Sequence, residues 1–541
     1  MWTKRVRDIF WFRLTDEARA HLDLDWGPDT GSKYNQAAKW HSRTHRAMER
    51  LLEVMDPLPA DRRVMNRAER DHTKSLREKN RDRLNLDAKM ARKNHFSFAL
   101  IEMSFKEMGP ELLTTWKGSV SIDQTTVRAA SRRGFARGES KDPKLDSIVL
   151  EPDANWAVKS PNRRGEEGSD HHGEATWGFM ANFATMVAEN PFKASPHPSL
   201  IAAMTLSTPA RNVGGEAIEL LRQLQEAQYP AGHVTTDKEY AANMLPENYA
   251  LPLRALGYTI VTDYQKDRLG VQGHQRGALI LDGKHKCPAI PAKLKTYNEK
   301  YVNGLVFDED DNADDYETAG SGKSKEQRIA ELEAHDRLYR DSAMYNFKQH
   351  EGPDSTGAVK MSCPARGKSA TASCLLVTPG VRTEGKDRVP VLNPPANPPE
   401  CCTQEVLTMP VTEEWRYLQE FEYQSPAWRR TYKTDRNLVE LSNSLIKDEG
   451  AEAMADSGRR RLRGLTAQQV LVTFLVVNAN MRRIYAFRDA AELTEKQRPE
   501  RKPRKRDSLS LRNYDVRIAA VREAQGLAPL EGSRRKASKL S

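Results

Sequence analysis

Three acidic side chains stand where carboxylates can do metal chemistry. Asp123 follows the strand-like run Ser119–Ile122 in WKGSVSIDQTTV. Asp237 follows His233–Thr236 in AGHVTTDKEYAA, and Glu440 lies inside YKTDRNLVELSNSLIKDEG. An acid at the end of a central strand sits at the lip of a sheet, where active sites form in α/β folds. Hard divalent cations take carboxylate oxygens, and Mg2+ keeps some of its water. Two strand-end acids and a third from a helix crossing them suffice for a pair of such ions roughly 3.5–4 Å apart. Each acid also has an ordinary reading. Asp123 could simply start a turn, and Glu440 could be half of an exposed Arg436–Glu440 pair at i,i+4. Asp263 also ends a strand-like run and is an alternative acid.

The stretch 432–450 is expected to be one helix. Thr434 or Asp435 can cap its start and Gly450 can end it. At about 100° per residue, Arg436, Glu440 and Lys447 fall within about 40° of one another. Leu438, Leu441 and Leu445 cluster on the opposite side, widened by Val439 and Ile446. The pattern predicts a largely buried helix with one narrow charged stripe and Glu440 at its middle.

The whole chain bounds what these residues serve. It has 541 residues, 30% of them charged, with a formal net charge of +10. That balance favours a polyanionic partner. At 7%, aromatics give no obvious base-stacking platform. The first thirteen residues lack the apolar core of a signal peptide, and the longest apolar run, Val470–Val477, is too short to span a bilayer. No membrane association and a cytoplasmic location are expected. Five cysteines without a secretory signal suggest a reducing compartment and no disulfide framework.

Five regions follow along the chain. Residues 1–110 read as helical and basic; Asp61–Asn94 is dense in Arg and Lys, either a solvated helix or a phosphate-contacting face. After it, Phe96, Phe98, Leu100, Ile101, Met103 and Phe105 predict an apolar helix packing on the next region. Residues 111–265 read as strands at Ser119–Ile122, Thr176–Val187, Leu200–Leu206, His233–Thr236 and Tyr258–Thr262, with a helix at Glu216–Tyr229. A short extended piece is expected near Trp156–Val158. Residues 266–414 are a polar, Pro-rich insertion, 415–490 are helical and carry Glu440, and 491–541 form a basic tail, expected to be disordered. In 415–490, Thr466 and Gln469 predict a capping box, with Val470, Phe474 and Val477 facing the sheet.

The spacing Arg436, three residues, Glu440, six residues, Lys447 resembles the third signature of the DDE transposases of bacterial insertion sequences. That signature usually has a tyrosine separated from its arginine by two residues; Tyr432 stands one residue farther from Arg436. The predicted order strand–strand–strand–helix–strand–helix–strand, then an acidic helix, resembles the ribonuclease H-like fold. The fold class expected is therefore α/β: a mixed five-stranded sheet flanked by helices, with a large insert and a helical N-terminal region. Asp123, Asp237, Tyr240, Arg436, Glu440 and Lys447 carry the resemblance, which covers roughly residues 95–265 and 415–490. Glu239 and Leu441 depart from the usual small residues. WKGSVSIDQTTV, EPDANWAV and the cysteine-rich insert look like a group common in actinobacteria.

The resemblance implies metal-dependent DNA cleavage and strand transfer by Asp123, Asp237 and Glu440 with Mg2+ or Mn2+. It implies contacts to DNA from Arg436, Lys447, Tyr240 and Tyr432, and the basic run beginning Arg459, Arg460 would lie beside the site. A homodimer on DNA, in a bacterial nucleoid, is the expected assembly. An inactive DNA-binding derivative and a nuclease without strand transfer share the same residues.

The insert holds Cys287, Cys363, Cys374, Cys401 and Cys402. No pair has zinc-knuckle spacing, so buried free thiols are preferred to a structural zinc. Two further motifs are incomplete. FDEDDNADDYE lacks the glycine and final glutamate of a calcium loop, and Gly320–Ser324 lacks the first glycine of a phosphate loop. His171 and His172 have no companions at metal spacing and read as surface loop residues.

Overall fold

The strands that carry the acids are dense in β-branched residues. The computed structural model describes residues 8–9, 13–21, 33–58, 65, 67–130, 151–158, 175–209, 212–238, 240, 245–304, 325–377 and 388–497. Two compact units result, Met1–Ile484 and Tyr485–Ser541. The calcium-like loop, Gly320–Ser324, His171, His172, Glu239 and the tail beyond 497 lie outside the described residues.

The first unit is mixed α/β. Its main sheet contains β1 (Val120–Arg128), β2 (Asn155–Val158), β3 (Ala175–Met186), β4 (Ile201–Ser207), β5 (His233–Thr236) and β6 (Thr259–Thr262). β3 is antiparallel to β1 from Val120↔Met186 to Arg128↔Gly178. The other edge of β3 is shared: β2 pairs with its first residues and β4 with the rest. β1, β5 and β6 run parallel. The order is thus β4–β3–β1–β5–β6, with β2 extending the sheet to six strands rather than the expected five.

Gly118 sets the spacing of β1 and β5. It has φ +88°, and a Cβ there would lie 1.7 Å from the Pro230 carbonyl oxygen. No L side chain fits this close approach, and the backbone conformation itself favours glycine. Gly118→Ala is expected to cost about 3 kcal/mol or more, enough to push much of the protein into aggregates. The check is soluble yield and urea midpoint; wild-type values would refute the packing argument.

The longer helices are α1 (Lys33–Met55), α2 (Arg67–Lys79), α3 (Leu86–Lys106), α4 (Val213–Glu226), α5 (Lys325–Ala343), α6 (Pro426–Lys447) and α7 (Leu465–Gln497). α3 buries Phe98, Ile101 and Phe105 and packs on β4, as its apolar spacing predicts, while Met103 faces solvent. The basic stretch before it is not uniformly solvated. Arg77 pairs with buried Asp153 at 3.1 Å, and Lys93 is buried. In α4, Ile218, Leu220, Leu221 and Leu224 are buried as expected.

α7 corrects the sequence reading in two respects. Thr466 and Gln469 do not form a capping box: Thr466 Oγ1 donates to Asp56 at 2.9 Å, and Gln469 Oε1 accepts from the Leu206 N–H at 3.2 Å. Phe474 is 41% exposed, whereas Val472, Thr473, Val476 and Asn480 are buried. The competing force is the unpaired edge of β4, whose N–H and C=O groups need partners. Asn480 supplies both to Ile201, accepting its N–H at 3.0 Å and donating to its carbonyl at 2.9 Å. A polar stripe therefore faces inward. By length and composition Leu465–Leu493 could cross a membrane. Gln469, Thr473 and Asn480, bonded into the first unit, mark its early turns as those of a core helix.

The insertion has its own core. β7 (Val271–Gln275), β8 (Ala278–Leu281) and β9 (Lys284–Lys286) form one small sheet. β10 (Lys348–Glu351) and β11 (Val359–Ser362) form another with β14 (Leu407–Met409), and β12 (Ala372–Ser373) pairs with β13 (Val389–Pro390). Their apolar residues cluster with four buried cysteines. A separate cluster of Tyr264, Ile280, Tyr423 and Trp428 joins this region to the start of α6.

Candidate active site

Asp237 stands directly after β5, as its sequence position predicts. Asp123 is different: β1 does not end there but continues to Arg128 along β3. What ends is the pairing with β5, which covers Val120↔Val234 and Ser121↔Thr235. Carried forward two residues, that register sets Asp123 level with Asp237. The two acids therefore share one level at the C-terminal end of adjacent parallel strands, where the sheet opens.

α6 crosses this opening, packing on β1, β3, β5 and β6. It begins earlier than the sequence suggests. Ser425 accepts from the Trp428 N–H at 3.1 Å, and Pro426 occupies the first turn. Ser then Pro is a better start than Thr434 or Asp435, since the proline lacks an N–H that would go unsatisfied and has a helical φ already. The helix ends at Lys447, capped by Asp448, rather than at Gly450.

Its buried face also differs. Thr431, Asp435, Val439, Ser442, Asn443 and Ile446 are buried, while Leu441 is 48% exposed. Leu438 and Leu445 are only half-buried. The polar members of the inner face have partners on the strands. Asp435 Oδ2 accepts from Thr235 Oγ1 at 2.6 Å and from His233 Nε2 at 2.9 Å. The other His233 nitrogen lies 2.9 Å from Ser119 Oγ and 3.8 Å from Glu189. Burial alone would lower the His233 imidazole, but hydrogen bonds to Asp435 and Glu189 outweigh it and hold its pKa up at about 9. This charged pair pins α6 to β5 one residue away from Arg436.

Arg436 gathers the acids. Its guanidinium lies 3.4 Å from Asp123 Oδ1 and 3.2 Å from Glu440 Oε1. Asn443 donates to the other Asp123 oxygen at 2.8 Å. Burial raises the Asp123 carboxyl above its ordinary value, against the pull of Arg436, and the Asp237 charge adds to the rise. Burial also works against the Arg436 charge, yet Asp123, Tyr432, Asp237 and Glu440 around it keep its pKa above the ordinary value.

Tyr240 is buried beside this cluster, its hydroxyl without a hydrogen-bond partner among the described residues; burial and the Asp123 charge push its pKa well up. Tyr432 stacks on Trp428, with ring centroids 4.8 Å apart. Lys447 is half-buried at the helix end. Arg459 is exposed and pairs with Asp456 at 3.3 Å. Arg460 is buried; its guanidinium reaches Gln468 Oε1 at 3.1 Å and the Met454 carbonyl, which withholds it from a phosphate. Asp263 directly follows β6, whose register with β5 carried one residue forward sets it level with Asp237, and its Oδ1 accepts from the Tyr423 hydroxyl at 2.6 Å.

Asp123, Asp237 and Glu440 are the donor type that suits a hard divalent cation. Among the described residues, however, no three His, Cys, Asp or Glu side chains form a ready metal cage. The Arg436 guanidinium stands between Asp123 and Glu440 and balances their charge. Sequence reasoning missed His233, Asp435 and Asn443. The available signal was the spacing Thr431–Asp435–Val439–Ser442–Ile446, a helical stripe carrying an acid among small and apolar residues.

Compared with protein-family models, with curated proteins and with solved structures, the chain matches none.

Proposed function

We propose that this chain is a DNA transposase of the DDE type, with a ribonuclease H-like catalytic core. The observation that carries the reading is the level placement of Asp123 and Asp237 on parallel β1 and β5, crossed by the helix bearing Arg436 and Glu440. The strand order β4–β3–β1–β5–β6, with only β3 reversed, is the order that fold uses, which supports it.

In this reading Asp123, Asp237 and Glu440 would hold Mg2+ or Mn2+, which would supply activation of the attacking oxygen and stabilisation of the leaving one. The chain's own contributions are positional and electrostatic. Asn443 fixes the orientation of Asp123, and the Asp435–His233 pair holds α6 over the strand ends. Arg436 and Lys447 present positive charge to the scissile strand. Water attacks the phosphorus at an element end, the bond to the 3′ oxygen breaks, and a 3′-hydroxyl is released. That hydroxyl then attacks a target phosphodiester and displaces another 3′-hydroxyl. The partners are element-end and target DNA, bound by a homodimer in the bacterial cytoplasm.

The test uses purified protein, DNA carrying the element ends, and Mg2+ or Mn2+. Wild type is expected to release 3′-hydroxyl ends and join them to target; Asp123→Ala and Asp237→Ala are expected to do neither. Cleavage without joining would make it a nuclease. Binding that weakens steeply with salt, without cleavage, would identify a catalytically inactive DNA-binding derivative. The ion pairing of Glu440 with Arg436 is the feature that favours this last reading.

A further inference from the structure

Four cysteines that are far apart in sequence meet in the insertion. Cys287, Cys363, Cys374 and Cys402 line one cavity of about 10 Å³, the space of a single water molecule or ion. The other lining side chains are Ala, Leu, Val and Pro, so among the described residues sulfur is the only side-chain donor there. None of the four is in a disulfide.

The backbone around them repeats. Cys287-Pro288-Ala289 and Cys363-Pro364-Ala365 are the same tripeptide. Each opens a β-turn: the Cys287 carbonyl accepts from Ile290 N–H at 3.1 Å, and the Cys363 carbonyl from Arg366 N–H at 3.0 Å. Cys374 opens a third such turn, its carbonyl accepting from Val377 N–H at 3.0 Å. In the first two turns the alanine N–H favours the cysteine thiolate, against burial. An N–H aimed at sulfur favours the thiolate over the thiol. Arg366 brings positive charge, donating to the Cys402 carbonyl at 2.7 Å.

We propose that Cys287, Cys363, Cys374 and Cys402 bind one zinc ion, a structural site that closes the insertion. Zinc takes four thiolates tetrahedrally at about 2.3 Å, and four S–H protons leave to solvent as it binds. Among the described residues no three of these side chains already form a metal-holding group, so the sulfurs must draw together as the ion enters. Burial pushes the Cys287 thiol up to about 12, against the pull of Ala289 N–H, and raises Cys363 likewise. Cys401 is the odd member. It is buried beside Cys402 but does not line the cavity.

The insertion has need of such a crosslink. β12 and β13 are two residues each, and such short strands do not stand alone. Cys374 follows β12 directly, and Cys363 follows β11. One ion would tie both strands to the turn after β9 and to the short helix Glu400–Thr403.

The test is the metal content of the full-length protein, purified under a thiol reductant from zinc-supplemented cells. One zinc per chain is expected, and Co2+ exchanged into it should show the intense sulfur-to-metal bands of a tetrahedral four-thiolate site. Cys374→Ser should lose most of the metal, while Cys401→Ser should keep it. If Cys374→Ser fails to fold, the Co2+ spectrum of the wild type decides by its thiolate count. Absence of metal with all five thiols free to react, bound iron, or metal lost equally from Cys401→Ser would each overturn the assignment.

Discussion

Asp435→Ala is expected to destabilise the protein by about 3–5 kcal/mol, the range for removing one partner of a buried charge pair. Asp435 is buried, and its Oδ2 receives both Thr235 and His233. Truncation would leave a buried imidazolium with only the more distant Glu189, at 3.8 Å, to balance it. The pH dependence gives a second readout. The His233 pKa is held at about 9 in the folded protein, against an ordinary value of 6.5. A raised folded-state pKa means the folded state binds the proton more tightly. The stability this pair contributes is therefore fully present below about pH 6.5 and is lost as pH rises through about 9. Urea midpoints measured between pH 6 and pH 10 should fall across that window in wild type. In Asp435→Ala the slope should flatten, because the group that raised the pKa is gone. Equal midpoints for the two proteins at pH 6 would refute the clamp.

The second large effect is catalytic. Glu440→Gln is expected to reduce end cleavage about a hundred- to a thousandfold, the scale set by loss of one preorganised electrostatic group. It should do so without unfolding the protein. The Glu440 side chain is 59% exposed, and its ion pair with Arg436 is of the kind that contributes little in water. The melting temperature should thus stay within about 2 °C of wild type, a shift below that of a 1 kcal/mol change in a domain of moderate size. The comparison variant is Arg436→Ala. Its loss leaves the partly buried Asp123 without its nearest cation, beside Asp237, so both stability and activity should fall. Cleavage that survives Glu440→Gln would remove the helix from the active site and sink the proposal that rests on it.

Some of this architecture was legible in the residues alone. His233–Thr236 is a short β-branched run bounded by Gly232 and an acid, and β5 has those bounds. α4 buries the apolar residues its spacing predicts, and α3 buries Phe98, Ile101 and Phe105 but not Met103; the buried ones gain most by leaving water. Composition marked 266–414 as a stretch apart; most of its buried apolar residues share one cluster, which Trp415 joins from beyond it.

The orientation of α6 and α7 was decided by tertiary structure. Leu438, Leu441 and Leu445 define one face by hydrophobicity, yet α6 turns a mixed face inward, since β1 and β5 offer Ser119, Thr235 and His233 as polar neighbours. In α7, Gln469 and Asn480 outrank Phe474 for the interior because the edge of β4 needs hydrogen bonds that Phe cannot make. The four clustered cysteines follow the same logic: no spacing between them signals a site, and only the folding of three β-turns and a helix onto one cavity brings their sulfurs together. Local sequence determined which segments are strand or helix and supplied Asp237 at a strand end. It did not determine which polar groups are buried. That depends on partners more than a hundred residues away, such as His233 for Asp435, and those partners exist only once the sheet has formed.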